Sequence, residues 1–303
     1  MADLDDLLRR TSRTFALAIP LLPRPTRDEV TIAYLLFRIA DTFEDATRWT
    51  PASQVEALEA FRRAVAGEGE PGRLASAWLE APPLDQPDYV ELLGQAPAVL
   101  GALETLRPEA REAIRRHVGR TAAGMARYAR RAAEEGGLHL RSLEELREYC
   151  YVVAGIVGEM LTDLFLLDGA PVAGAADALR ARARHFGEGL QLVNVLKDAA
   201  GDAEEGRRYL PDSVSRGTVF ALAREDLRRA EEYVEALRAA GAPRGLVAFT
   251  ALPVLLAWEA LAAVEARGPG AKVTRQEVAG ILARMHAALD RGEPVVGSPS
   301  RAS

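Results

Sequence analysis

Residues 32–45 read Ile-Ala-Tyr-Leu-Leu-Phe-Arg-Ile-Ala-Asp-Thr-Phe-Glu-Asp, an apolar helical run that ends on the carboxylates of Asp41, Glu44 and Asp45. Asp41 and Asp45 are four positions apart, so on a helix they share one face. Far downstream, residues 189–202 repeat the design. There Gly-Leu-Gln-Leu-Val-Asn-Val-Leu-Lys-Asp-Ala-Ala-Gly-Asp sets Asp198 and Asp202 at the same spacing after another apolar run. Acids that close an apolar helix belong at the mouth of a pocket, where surface solvation does not explain them. Facing each other across a bundle, such banks repel unless positive charge lies between them. Oxygen-only ligands suit Mg²⁺, which binds one or two carboxylates and keeps its other positions for water and substrate phosphate. The pattern predicts a helical bundle built to hold a diphosphate through metal ions.

Spacing alone is weak evidence. With 44 acids in 303 residues, chance supplies roughly six such pairs, a load that any motif must survive. Glu159 and Asp163 form one more. On the residues alone, a metal site and a solvated acidic face both stay open.

Outward from these stretches the chain keeps reading as helix. Ala, Leu, Arg and Glu dominate, and alternating β-branched runs are scarce. Ser/Thr-x-x-Glu capping boxes mark starts at Thr26, Ser142 and Thr274, and Thr50-Pro51 marks another. Turn chemistry at Gly136-Gly137, Asp168-Gly169 and Gly241-Ala-Pro243 marks stops. Helices are predicted over 27–47, 51–66, 88–105, 108–135, 143–167, 173–204, 218–240, 244–267 and 275–291, with a surface loop over 67–87. Nothing repeats at a fixed period and no composition shift divides the chain. The expectation is one all-α domain over 1–291 with a flexible tail over 292–303.

Composition excludes several classes. A net charge of −6 and pI near 5.5 argue against nucleic acid. The single cysteine, Cys150, rules out an intrachain disulfide framework and suits a reducing compartment. The acidic start, MADLDDLLRR, has no apolar segment of secretory type. Residues 245–264 are apolar, but the uninterrupted run over 246–258 is shorter than the ~20 residues a membrane span needs, so a buried core helix is expected there. His117, His139, His185 and His286 make no zinc-binding spacing. Gly67-Glu-Gly-Glu-Pro-Gly72 matches the dinucleotide fingerprint in letters only, because it follows a helix and has no flanking strand. Seven arginines between Arg111 and Arg131 crowd one long helix; a solvated face is expected, with a partner or lipid-headgroup surface as the alternative.

Four stretches, in this order, carry a resemblance. They are Thr11-Ser-Arg-Thr-Phe15; Arg38-Ile-Ala-Asp-Thr-Phe-Glu-Asp45; Tyr149-Cys-Tyr-Val-Val-Ala-Gly-Ile-Val-Gly158; and Gln191-Leu-Val-Asn-Val-Leu-Lys-Asp198, running through Asp202 to Arg207-Arg-Tyr-Leu-Pro211. Together they resemble the squalene/phytoene synthase family over nearly the whole chain. That resemblance implies an all-α isoprenoid-synthase fold, a helical bundle around a central cavity, in which two prenyl diphosphates are joined head to head. By matching position, Asp41, Asp45, Asp198 and Asp202 would bind Mg²⁺ with Glu44 assisting. Ser12, Arg13, Thr14, Tyr34, Arg38, Lys197, Arg207 and Tyr209 would serve the substrate, chiefly its diphosphate oxygens. Gln191 and Asn194 would face the same cavity, and Val153, Ala154, Val157 and Gly158 would form the wall for the prenyl tails. Tyr149 matches a tyrosine placed near cyclopropane closure, with a buried structural phenol as the alternative.

Lys197 stands where arginine is frequent, which keeps the charge and loses bidentate geometry. A basic residue near the C-terminus that grips phosphate in relatives is matched by either Lys272 or Arg275. The wording of residues 14–23 and 149–155 is more similar to squalene than to phytoene synthases. The expected reaction is therefore condensation of two farnesyl diphosphates to presqualene diphosphate and reduction by NADPH. Phytoene synthesis from geranylgeranyl diphosphate and dehydrosqualene or presqualene diphosphate synthesis are the alternatives. A non-catalytic assembly or lipid-binding protein on the same fold is the rival from another class, and the presence of all four aspartates argues against it. The resemblance further implies a cytoplasmic, membrane-peripheral protein that contacts the bilayer to release product, as a monomer or weak dimer.

Overall fold

The computed structural model describes residues 3–204 and 206–297. Of the tail predicted to be flexible, residues 298–303 lie outside the described residues. The described chain is helical almost throughout, with one two-stranded ladder between β1 (Leu138–His139) and β2 (Arg207–Arg208). It divides into two compact units, one from the described parts of Met1–Ile19 and Arg24–Leu138, the other from Pro20–Pro23 and His139–Ser303.

The first unit contains α1 (Leu4–Thr11), α2 (Phe15–Ala18), α3 (Thr26–Glu44), α4 (Pro51–Val65), α5 (Pro71–Glu80), α6 (Pro87–Gly94), α7 (Ala96–Glu104) and α8 (Pro108–Glu135). α3 is its central helix, touching α1, α4, α6, α7 and α8. Buried Val30, Ile32, Leu35, Leu36, Ile39 and Phe43 explain that position, since a helix apolar on more than one face must be covered on more than one face. Phe43 anchors an aromatic cluster with Trp49, Phe61 and Trp78, at ring-centroid distances of 5.8, 5.9 and 4.7 Å.

Three expectations need correction in this unit. The segment 67–87 is not one loop, because α5 occupies its middle. Pro71 opens that helix, and Leu74, Ala75 and Trp78 give it an apolar stripe, with Ala75 and Trp78 buried. The helix read over 88–105 breaks at Gln95 into α6 and α7, where Pro97 at the start of the second cannot supply an N–H to the first. The capping box at Thr26 does not form. Pro25 holds the N-cap position, and buried Glu29 instead accepts two hydrogen bonds from Arg107, at 2.5 and 2.9 Å.

The second unit contains α9 (Leu143–Cys150), a π-helical turn (Tyr151–Gly155), α10 (Ile156–Phe165), α11 (Ala170–Ala173), α12 (Ala176–Glu204), α13 (Arg216–Ala239), α14 (Arg244–Arg267) and α15 (Arg275–Asp290). The stretch read as one helix over 143–167 is interrupted by the π turn, a local widening common at functional sites. Glycines bring it close to α12. A Cβ at Gly187 would lie 1.9 Å from the Ala154 carbonyl oxygen, and one at Gly158 would lie 2.0 Å from that of Ala183. α14 is long and apolar enough to cross a membrane by length and composition alone. Its apolar stretch is 61% buried and packs on α12, α13 and α15, as expected for a core helix. The capping box at Thr274 forms in full, with Glu277 N–H donating to Thr274 Oγ1 and Thr274 N–H to Glu277 Oε2.

Candidate active site

In the first unit, α3 gathers the predicted diphosphate and metal residues at its C-terminal end. Arg38 is the centre of the arrangement. Its Nη1 lies 3.4 Å from Asp41 Oδ2, and its Nε and Nη2 donate to Tyr34 Oη at 3.3 and 3.1 Å. Tyr34 Oη in turn donates to the Thr11 carbonyl at 2.9 Å, tying α3 to the end of α1. The guanidinium stands over the rings of both Tyr34 and Tyr89, 5.6 and 5.7 Å from their centroids. Burial works against the Arg38 charge, yet Asp41 and the two tyrosines outweigh it and hold the group above its usual value. Such a cation is fixed in direction and permanently charged, which suits it to an anionic leaving group.

Asp41 shows the complementary strain. Burial pushes its carboxyl up to about 6, partly offset by Arg38 and reinforced by the charge of Asp45. Two carboxylates one turn apart, one of them desolvated, form a pair that a cation relieves. Asp45 caps the helix, its N–H donating to the Asp41 carbonyl at 2.8 Å. The Glu44 carbonyl accepts from Gln54 Nε2. Nearby, Ser12 Oγ accepts from Phe15 N–H at 3.0 Å, and Phe15 packs 5.6 Å from the Tyr34 ring. Thr14 is half-buried and Arg13 exposed.

In the second unit the other predicted residues gather on α12 and the strand after it. Asp198 and Asp202 fall on the last turns of α12, where Asp198 is 53% exposed and pairs with Lys197 Nζ at 3.3 Å. The same ammonium donates to Asn194 Oδ1 at 3.1 Å, and Gln191 stands half-buried one turn earlier. Tyr149 and Tyr209 are both buried and stacked, with centroids 4.6 Å apart and planes at 26°. Arg207 lies on β2. Val153, Ala154 and Val157 are half-buried along the π turn and α10, whereas Gly158 is buried against the α12 backbone. Lys272 and Arg275 are both exposed. Gly270 N–H donates to the Lys197 carbonyl at 2.7 Å, which ties the loop carrying Lys272 to the turn before Asp198.

These residues stand in a chain, helical almost throughout, whose residues 8–279 match the family model described as squalene/phytoene synthase. The chain belongs to the squalene/phytoene synthase family. It is 30% identical over 202 residues to a squalene synthase of Botryococcus braunii, covering 66% of this chain and 40% of that protein. With a squalene synthase of Panax ginseng it shares 30% identity over 235 residues, or 77% of this chain and 51% of the relative. The chain thus spans about half the length, or less, of these curated relatives. Among solved structures, a complex of TcSQS with the ligand BPH1237 superposes with a TM-score of 0.74 at 24% identity, over 93% of this chain and 84% of that one. A dehydrosqualene synthase bound to a ligand gives 0.62 at 19% identity, over 95% of both chains. At these identities the structural likeness concerns the fold, the all-α isoprenoid-synthase fold expected from the sequence.

Within that family frame, Tyr89 is the residue that sequence reasoning missed. It lies on α6, more than forty positions from Arg38, in a stretch with no motif, and only folding brings its ring to the guanidinium. The arginine-rich face of α8 pairs with acids: Arg111 and Arg115 with Glu104, Arg130 with Glu59, and Arg131 with Glu135.

Proposed function

We propose that the chain is a squalene synthase, a Mg²⁺-dependent prenyltransferase that joins two farnesyl diphosphates head to head into presqualene diphosphate and yields squalene with NADPH. The observation that carries this reading is the half-buried Arg38, braced by Tyr34 and Tyr89 beside the Asp41–Asp45 pair. It is supported by squalene synthases that are about 30% identical to the chain.

The raised Asp41 carboxyl and its neighbour Asp45 fit a magnesium ion, because both the burial and the repulsion that push it up to about 6 are relieved by a bound cation. Asp41 and Asp45, assisted by Glu44, and Asp198 and Asp202 are the residues proposed to hold it. When bound, Mg²⁺ neutralises charge on the departing diphosphate. Arg38 donates to the same oxygens, and its tyrosine braces save the reorganisation that a free side chain would need as that charge develops. Ser12, Arg13, Thr14, Arg207 and Tyr209 are proposed as further diphosphate contacts, with Gln191, Asn194 and Lys197 beside the second pair. Between Lys272 and Arg275, the loop tied to the Lys197 carbonyl favours Lys272. Half-buried Val153, Ala154 and Val157, with Gly158, would wall the prenyl tails and keep water from the allylic cation. Tyr149, buried and stacked on Tyr209, is proposed to steady that cation and help remove the proton lost on cyclopropane closure.

NADPH stands on the subfamily alone. The run Gly67–Gly72 joins α4 to α5 with no strand before it, so it does not fit a dinucleotide. A cytoplasmic location with peripheral membrane contact, and a monomer or weak dimer, complete the proposal.

Incubation of the purified chain with Mg²⁺ and farnesyl or geranylgeranyl diphosphate, with and without NADPH, tests it. Squalene formed only with NADPH is the expected result. Phytoene from the longer substrate, or dehydrosqualene or presqualene diphosphate as the end product, replaces the specific reaction while keeping the chemistry. No condensation of either substrate removes the proposal.

A further inference from the structure

The sequence Gly187-Glu188-Gly189 is pinched between two neighbouring backbones. A Cβ at Gly187 would meet the Ala154 carbonyl of the π turn at 1.9 Å, and one at Gly189 would meet the α13 backbone at Asp226 and Leu227 at 3.1 Å. Between these glycines α12 inserts a carboxylate, and Glu188 is 0% exposed. Asp226, on α13, is 1% exposed and receives His185 Nδ1 at 2.8 Å through its Oδ1. Glu188 Oε1 receives Arg184 at 2.7 and 2.8 Å. The second oxygen of each acid, Glu188 Oε2 and Asp226 Oδ2, is buried and makes no hydrogen bond with any described group. A buried carboxylate oxygen without a partner is costly, and one on each of two acids of the same cluster calls for a cation or a proton.

Ligand atoms of His185, Glu188 and Asp226 all lie within 4.8 Å of one another. Bonds of about 2.0–2.2 Å from a central ion bring such atoms to about 4.4 Å or less, so a small side-chain shift closes the set. One imidazole with two carboxylates selects for a first-row transition ion, because Mg²⁺ and Ca²⁺ favour oxygen alone. Two acids against one guanidinium leave the site one negative charge before an ion enters.

We propose that His185, Glu188 and Asp226 bind one divalent ion of zinc type, which fastens α12 to α13 at a site separate from Asp198 and Asp202. The site does not depend on the proposed prenyltransferase activity. His185, whose side chain is 24% exposed, gives the ion its path from solvent.

The test uses the full chain, stripped with chelator, exposed to Zn²⁺ in millimolar Mg²⁺ so that the other carboxylates are occupied, and passed through gel filtration. About one zinc per chain should be retained and the melting temperature should rise, as binding to the folded state alone requires. Glu188→Gln and Asp226→Asn should lose both effects. If either fails to fold, His185→Gln, at the rim, should weaken zinc binding by about 10-fold or more with unchanged circular dichroism. No retained zinc and no thermal shift in the parent chain overturns the proposal and leaves a proton in the cation's place. Zinc retained equally by His185→Gln and Glu188→Gln overturns it as well.

Discussion

The two carboxylate pairs share a spacing and almost nothing else. Asp41, with a side chain 29% exposed, stands beside a half-buried arginine braced by two tyrosines. Asp198, at 53%, stands on the open last turns of α12 with a lysine that also serves Asn194. The first pair is therefore pre-organised at a cost, since a desolvated carboxylate disfavours its own charge. Asp198, exposed to solvent, is inexpensive to keep ionised. Under the proposed function, Asp41 would be charged in advance beside Arg38, and Asp198 would depend more on metal and substrate to be held.

The severest way to break this comparison is kinetic. Asp45→Asn and Asp198→Asn should each lower kcat by on the order of 10³-fold with unchanged circular dichroism, the scale seen when a charge-stabilising group is removed. Near-normal turnover in either variant would falsify its metal role. Tyr149→Phe should slow product formation by about 10²-fold while substrate binding holds, as for a lost proton-transfer group; an unchanged rate returns that phenol to packing alone.

Stability sharpens the same contrast. The Asp41 carboxyl sits near 6 in the folded chain, above its ordinary 3.8, so the folded state holds that proton more tightly than the unfolded one. Its contribution to stability therefore falls as pH rises from about 4 to about 6, and at neutral pH its charge is a burden. In metal-free protein at pH 7.5, Asp41→Asn should raise the melting temperature by about 2–4 °C, the size of a ~1 kcal/mol effect in a chain this large. Asp198→Asn should leave it within about 1 °C, as surface changes do. Equal shifts would erase the distinction. By the same titration, Mg²⁺-dependent activity should climb through pH 6 as the proton stops competing with the ion.

The smallest expected effect concerns the braces. Tyr89→Leu should raise KM a few-fold, about 1 kcal/mol for a partly desolvated cation–π contact, and Lys272→Ala should do less. No change in Tyr89→Leu would mean that Tyr34 alone orients Arg38.

Much of this was legible in the residues. The apolar runs before Asp41 and Asp198 gave the helices, and the four ordered motifs gave the family. What stayed hidden depends on contacts distant in sequence or on local exceptions. Glu29 reads as a capping residue, yet its carboxylate goes to Arg107, 78 positions away. Tyr149–Gly158 reads as unbroken helix, and only the close approach of α12 at Gly187 accompanies a π turn there. Tyr89 carries no periodic signal, and neither does the convergence of His185, Glu188 and Asp226, because i, i+3 acids and histidines are common on exposed helices. Burial, which letters do not display, is what distinguishes them.

The most direct measurement is an Mn²⁺ titration followed by electron paramagnetic resonance, with and without an unreactive farnesyl thiodiphosphate. If both pairs serve one metal–diphosphate assembly, the analogue tightens Mn²⁺ binding in the parent chain, and either Asp45→Asn or Asp198→Asn alone abolishes that tightening. Full tightening retained in one of the two variants contradicts the account.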